Sequence, residues 1–135
     1  MATQDLKSFI KPITSVKPDA HATDVTGEAV DTRGFESATV VITYGGTVNG
    51  STTCKVQASV DEAFTSPVDL TPVSGPEVGA LLYGDAYLVG QTDSVETFAY
   101  VGEQYRYIRV FATVPADSDV SASVILGHPH VVPTV

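Results

Sequence analysis

The residues of this 135-residue chain whose chemistry reaches beyond packing are few: three histidines, one cysteine and some neighbouring carboxylates. His128 and His130 stand two apart, which in an extended segment puts both imidazoles on one side. Two imidazoles do not close a zinc site, and no cysteine or carboxylate stands near them in sequence. Asp117 and Asp119, in PADSDV, match half of a calcium loop but lack its central glycine and distal bidentate glutamate, so they read as a solvated turn. Asp61 and Glu62 end an alternating segment, where solvated charge is the ordinary role. Cys54 falls on the apolar side of that segment and reads as a small hydrophobe, with no basic neighbour there to make a thiolate. The stretch YGGTVNGS is glycine-rich but lacks the lysine and following helix of a phosphate loop. Neither a Gly-x-Ser-x-Gly elbow nor a cysteine–histidine signature is present. The expectation is a non-enzyme with no metal and no cofactor.

Composition narrows the partners. The net charge is −9, and the seven Lys and Arg residues are dispersed. A nucleic-acid backbone or an anionic membrane needs clustered cations, so neither is expected as a partner. A single cysteine excludes an internal disulfide. No segment has the apolar run of a signal peptide or a membrane span. Assembly in a reducing cytoplasm is the expectation, and the Asn49-Gly50-Ser51 sequon reads as a turn.

The elements that must position these residues are strands. Thr, Val, Ser and Ala dominate, and β-branched side chains fit a pleated surface better than a helix. Residues 1–23 have no sustained period, and Pro12 and Pro18 forbid a long helix. They read as an N-terminal arm with an apolar spot at Leu6, Phe9, Ile10 and Ile13. Residues 24–126 read as a single β-domain. Strands are expected near 27–30 and 38–44, and again at 53–61, where Cys54, Val56, Ala58 and Val60 alternate with polar residues. The segments 38–44 and 53–60 are expected to pair as an antiparallel hairpin with a long loop. Residues 62–92 carry prolines and glycines and read as loop and edge strand. Further strands are expected at 94–100, at 105–114 and in DVSASVIL. The whole predicts an all-β protein: a compact antiparallel β-sandwich or a jelly-roll-like barrel with extended N- and C-terminal arms. The tail at 127–135, GHPHVVPTV, carries no charged side chain. With Pro129 and Pro133 it reads as extended and docked, either on its own domain or on a neighbour.

The segment YVGEQYRYIRVFATV, residues 100–114, divides by parity. Arg106, Ile108, Val110, Ala112 and Val114 form one side and read as core after the arginine. Tyr105, Tyr107, Arg109, Phe111 and Thr113 form the other. Tyr, Phe and Arg together mark either a face covered from within the chain or a protein–protein contact. The expected interface is therefore Tyr105, Tyr107, Arg109 and Phe111, with Phe9 and Ile10 from the arm and His128, Val131 and Val132 from the tail.

Four segments in order, GEAVDTRGFESATVVITYG, VQASVDEAF, FAYVGEQYRYIRVFATV and ILGHPHVVPT, resemble a group of small tailed-bacteriophage virion proteins. Its pattern is an Asp-Thr-Arg-Gly-Phe-like turn before a strand ending in Gly, a Tyr-Val-Gly…Arg-Tyr-(Val/Ile)-Arg-Val strand and a Leu-Gly-His-Pro-like close. These fall on residues 31–35, on 100–102 with 106–110, and on 126–129. The resemblance covers most of residues 24–133 but nothing in 62–92. It implies a capsid decoration, or cement, protein of the virion surface. The implied partners are the major capsid protein and the chain itself, as a homotrimer or as lattice neighbours. A tail, adaptor or fibre-associated role is the alternative. A carbohydrate-binding sandwich, with Tyr83, Tyr87, Tyr105 and Tyr107 stacking on sugars, is a further one.

Overall fold

A computed structural model describes residues 6–73, 81–84, 90–101 and 104–129. A 3-10 turn at Leu6–Phe9 leads into strands β1 (Ile10–His21), β2 (Val25–Thr26), β3 (Val30–Asp31), β4 (Phe35–Tyr44) and β5 (Thr53–Ser59). Then come β6 (Val68–Leu70), β7 (Pro72–Val73), β8 (Leu81–Tyr83), β9 (Val95–Val101), β10 (Tyr107–Thr113) and β11 (Ser118–Pro129). Six strands form one sheet in the order β1-β11-β4-β9-β8-β7. The second sheet runs β2-β10-β5-β6, with β3 also pairing β10. All pairs are antiparallel except β7 with β8. The two sheets pack face to face as an all-β sandwich and do not close into a barrel.

The core follows from period-two alternation. Ala38, Val40, Ile42 and Tyr44 of β4 and Ala122, Val124 and Leu126 of β11 point inward from the six-stranded sheet. Cys54, Val56 and Ala58 of β5 meet them with Ile108, Val110 and Ala112 of β10. The core side expected for residues 106–114 is thus seen from Ile108 onward, while Arg106 stays at the rim.

One expected connection differs. Strands β4 and β5 are not a hairpin: β4 pairs β11 and β9, whereas β5 pairs β10 and β6. Both carry an apolar inner side, and burying each against the other across the sandwich covers more of it than setting them side by side. The loop between them is long enough to cross. It is pinned to the start of β11, where Ser118 Oγ accepts from Asn49 N at 2.8 Å and is hydrogen-bonded to Thr52 Oγ1 at 2.8 Å. Likewise β9 and β10 lie in different sheets, and the Tyr100 hydroxyl donates to Tyr105 O at 2.8 Å beneath the crossing.

Residues 10–21, read from the sequence as part of an arm, form the edge strand β1, paired with β11 from Ile10↔Gly127 to His21↔Ser118. Pro12 and Pro18 block a helix but are tolerated on an edge strand, where no neighbour needs their missing N–H. Register shifts after Thr14 and Val16 turn both Ser15 and Val16 inward.

That irregularity builds a seam between the sheets. Ser15 Oγ accepts from Val110 N at 3.1 Å and donates to Glu28 O at 3.0 Å. Glu28 N donates to Ser15 O and Gly27 N to Val110 O, both at 2.8 Å. A Cβ at Gly27 would lie 2.4 Å from both Ser15 Oγ and Val110 O. One of those atoms is backbone, so the clash is not relieved by a rotamer. Gly27→Ala is therefore expected to cost roughly 1–3 kcal/mol, the range for overpacking a tight site. Its thermal midpoint should fall by several degrees, and an unchanged midpoint would contradict the seam.

Candidate functional site

On the outer face of the four-stranded sheet, β10 sets Tyr107, Arg109, Phe111 and Thr113 opposite Ser59, Gln57, Lys55 and Thr53 of β5. Tyr107, Arg109 and Phe111 are half-buried there, together as the parity predicted. Tyr105 is not with them. It precedes β10 and packs against the core cluster, because the chain is still crossing between sheets at that point.

The chain covers this face with its own side chains. Arg109 Nε donates to Gln57 Oε1 at 2.9 Å, and Gln57 Nε2 to Asp69 Oδ1 at 3.0 Å. Asp69 Oδ2 accepts from Lys55 Nζ at 2.9 Å, and Lys55 lies 5.2 Å from the Phe111 ring centroid. The Arg109 guanidinium stacks 4.1 Å from the Phe64 ring, and Arg106 stands 5.0 Å from that of Tyr107. Lys55 holds the Asp69 carboxyl below the usual range, and burial lowers the Arg109 pKa.

Phe64 was not legible as part of this face. It sits in a polar loop with φ of 52°, an unfavourable conformation for a bulky residue. Asp61 holds it there. Its carboxylate accepts from Thr65 Oγ1 at 2.7 Å and Ser59 Oγ at 2.7 Å, and its carbonyl from Phe64 N at 3.1 Å. The Thr65 bond leads the lowering of the Asp61 pKa. The signal available in DEAFTS was an Asp capping a turn around a lone aromatic.

The segments that carried the family pattern converge at one end of the sandwich. Asp31 receives a bidentate pair from Arg106, Nε to Oδ1 at 2.9 Å and Nη2 to Oδ2 at 2.7 Å, and its pKa is lowered chiefly by that arginine. Thr32 donates to Arg106 O through both N, at 2.9 Å, and Oγ1, at 2.7 Å. Phe35 pairs with Pro129, and Ser37 Oγ lies 2.6 Å from His128 Nδ1.

The outer face of the six-stranded sheet is of another kind. Its register sets Thr14, Ser123, Val41 and Thr97 in one row and Pro12, Ile125, Thr39 and Ala99 in the next. A third row holds Ile10, Gly127, Ser37 and Val101, and a fourth Ser121, Thr43 and Val95. None of these residues is charged. Val95 and Val101 are 60% and 40% exposed. Phe9, Ile10 and His128 meet at a corner of this face, around a shallow groove also lined by Ser37, Thr39 and Ile125. Val131 and Val132 lie outside the described residues, as do His130 and Tyr87. The Tyr83 side chain is likewise not described.

For chemistry the described residues of the interior offer one cluster. Tyr44, Cys54 and Glu96 approach one another from β4, β5 and β9. The Tyr44 hydroxyl and Glu96 Oε2 are buried without a hydrogen-bond partner. Burial pushes the Cys54 thiol up to about 11 and raises the Tyr44 hydroxyl and the Glu96 carboxyl. All three are therefore biased toward neutral forms, which suits packing rather than nucleophilic attack. Among the described residues no three His, Cys, Asp or Glu side chains are placed to hold a metal ion. Asp119 instead accepts from Thr47 N at 3.0 Å, and His21 Nε2 contacts Lys17 O at 2.9 Å.

Glu96 yields a pH test. Its folded pKa is raised, so the folded state holds its proton more tightly than the unfolded chain. Its contribution to stability is intact below the unfolded value of about 4.3 and declines as pH rises through the folded value. Glu96→Gln removes this dependence. The difference in thermal midpoint, variant minus wild type, should grow more positive from pH 4 to pH 8. A difference that stays constant across that range would contradict it.

No protein-family model matches the chain, and no curated protein matches it. Among solved structures, the fold is similar to that of YomS, an SPBc2 prophage-derived protein, with a TM-score of 0.53 at 15% identity. The match covers 87% of this chain and 93% of that one, so the likeness spans the sandwich rather than a shared hairpin.

Proposed function

We propose that this chain is a non-enzymatic structural protein of a tailed-phage particle. It binds the outside of the capsid lattice as a decoration protein, with the major capsid protein as its partner. The observation that carries this reading is the fold shared along nearly the whole of a prophage-derived protein. The convergence of the family-like segments supports it. Residues 31–35, 106–110 and 126–129 are far apart in sequence, yet are joined by the Asp31–Arg106 pair and the β4–β11 register.

The physical demands of the role fit. A lattice binder needs a rigid body and accessible faces, not a reacting group. Antiparallel pairing of every described strand pair but β7–β8 and an interior of Val, Ile, Ala and Tyr supply the rigidity. The cluster at Tyr44, Cys54 and Glu96 lies on the inward sides of its strands rather than on either outer face.

Purified protein added to expanded capsids that lack it should bind saturably, at a fixed number of copies per hexamer. Gold-labelled protein should then decorate heads in electron micrographs. Absence of saturable binding, or label confined to tails, would overturn the head assignment.

A further inference from the structure

We propose that the outer face of the six-stranded sheet is where a second copy of this chain docks. The assignment stands apart from the capsid reading and does not depend on it.

Charge selects the occupant. Two chains of net charge −9 repel one another over most of their surfaces. The rows through Thr97, Ala99, Val101 and Val95 carry no charge, so two such faces meet without bringing carboxylates together. Among the described residues charge resumes at the end of the last row, at Asp119, whose carboxylate is bonded to Thr47 N, and at Asp19, which lines the same groove as Thr43 and Ser121. A strongly charged partner would gain nothing from this face, whereas the face matches itself. Related by a two-fold axis, the same patch serves both copies.

Shape agrees. The row residues are mostly Ser, Thr, Val and Ala, whose short side chains let two sheets approach to the usual ~10 Å. Val95 and Val101 already stand exposed and give the contact its apolar content. The opposite outer face is a poorer choice. Its Lys55 and Arg109 are engaged by Asp69, Gln57 and Phe64, and docking there would strip water from those charges.

Size sets the strength. Four strands at ~4.8 Å and seven residues at ~3.4 Å give a patch of about 19 by 24 Å, or roughly 900 Å² over two copies. That is the size of weak, transient interfaces, so micromolar or weaker affinity is expected rather than nanomolar.

Sedimentation velocity on the intact chain from about 10 μM to 1 mM covers the micromolar range expected for this interface size. A monomer–dimer equilibrium should appear, and added salt should shift it toward dimer by screening the net repulsion. Thr97→Glu and Thr39→Lys both place a charge at exposed positions on the face. Each should weaken dimerisation at least tenfold, while Thr113→Glu, on the other sheet, should not. Thermal midpoints near that of the wild type establish that the variants are folded. A monomer at every concentration would overturn the proposal. So would dimerisation that weakens with salt, or variants at 97 and 39 that dimerise as the wild type does. Failure to bind capsids, with self-association intact, would count against the capsid role alone.

Discussion

Ser15 is the joint on which the sandwich turns. One hydroxyl accepts from a backbone N–H of β10 and donates to the backbone carbonyl of Glu28, while Gly27 lies too close for any side chain. These bonds hold the edge of the six-stranded sheet against the edge of the four-stranded one. A hydrogen bond of this kind contributes only ~1 kcal/mol net, but leaving the Val110 N–H buried and unpaired would cost ~1–3 kcal/mol. The seam therefore fixes geometry more than it adds stability. With β1 locked there, the two outer faces are set back to back, and their characters can be compared.

Those characters are opposite. On the four-stranded sheet, side chains that looked in need of a cover are covered from within, by Phe64 under Arg109 and by the Gln57–Asp69–Lys55 chain. Each exposed ion pair or cation–π contact there is worth ~1 kcal/mol or less. Together they hold the side chains in place and make the face costly to desolvate. On the six-stranded sheet the four described outer rows carry no charge, and burial of those rows meets no such cost. Two copies of an acidic chain would meet less repulsion and less desolvation cost through the second surface than through the first.

How much of this was legible depends on the length scale. The alternation of Cys54, Val56 and Ala58, and of Ile108, Val110 and Ala112, named the core strands and their inward sides directly, since period two leaves little choice. What the pattern did not carry was which sheet each strand joins. The sequence looks the same whether β4 and β5 lie side by side or face one another, because the distinction rests on non-local pairing with β11 and β10. The edge role of residues 10–21 was hidden for a related reason: Pro12 and Pro18 argue against a helix but are silent about an edge strand. The Phe64 contact depends on a turn held by Asp61 and was invisible to parity. The uncharged face was in plain view at residues 37–43, 95–101 and 121–127. Its Ser and Thr positions read as ordinary solvent-facing residues until the register laid them in rows.

The central claim is that one outer face is closed by its own side chains and the other is open to a sister copy. Thiol labelling tests it at single positions. Cys54, buried and with its thiol pushed up to about 11, leaves the wild-type background unreactive. Maleimide labelling of Thr97→Cys and Thr113→Cys should be compared between dilute and concentrated protein. The account predicts that the thiol at position 97 becomes protected as concentration rises, while that at position 113 stays reactive. Protection at 113 with continued reactivity at 97 would contradict it.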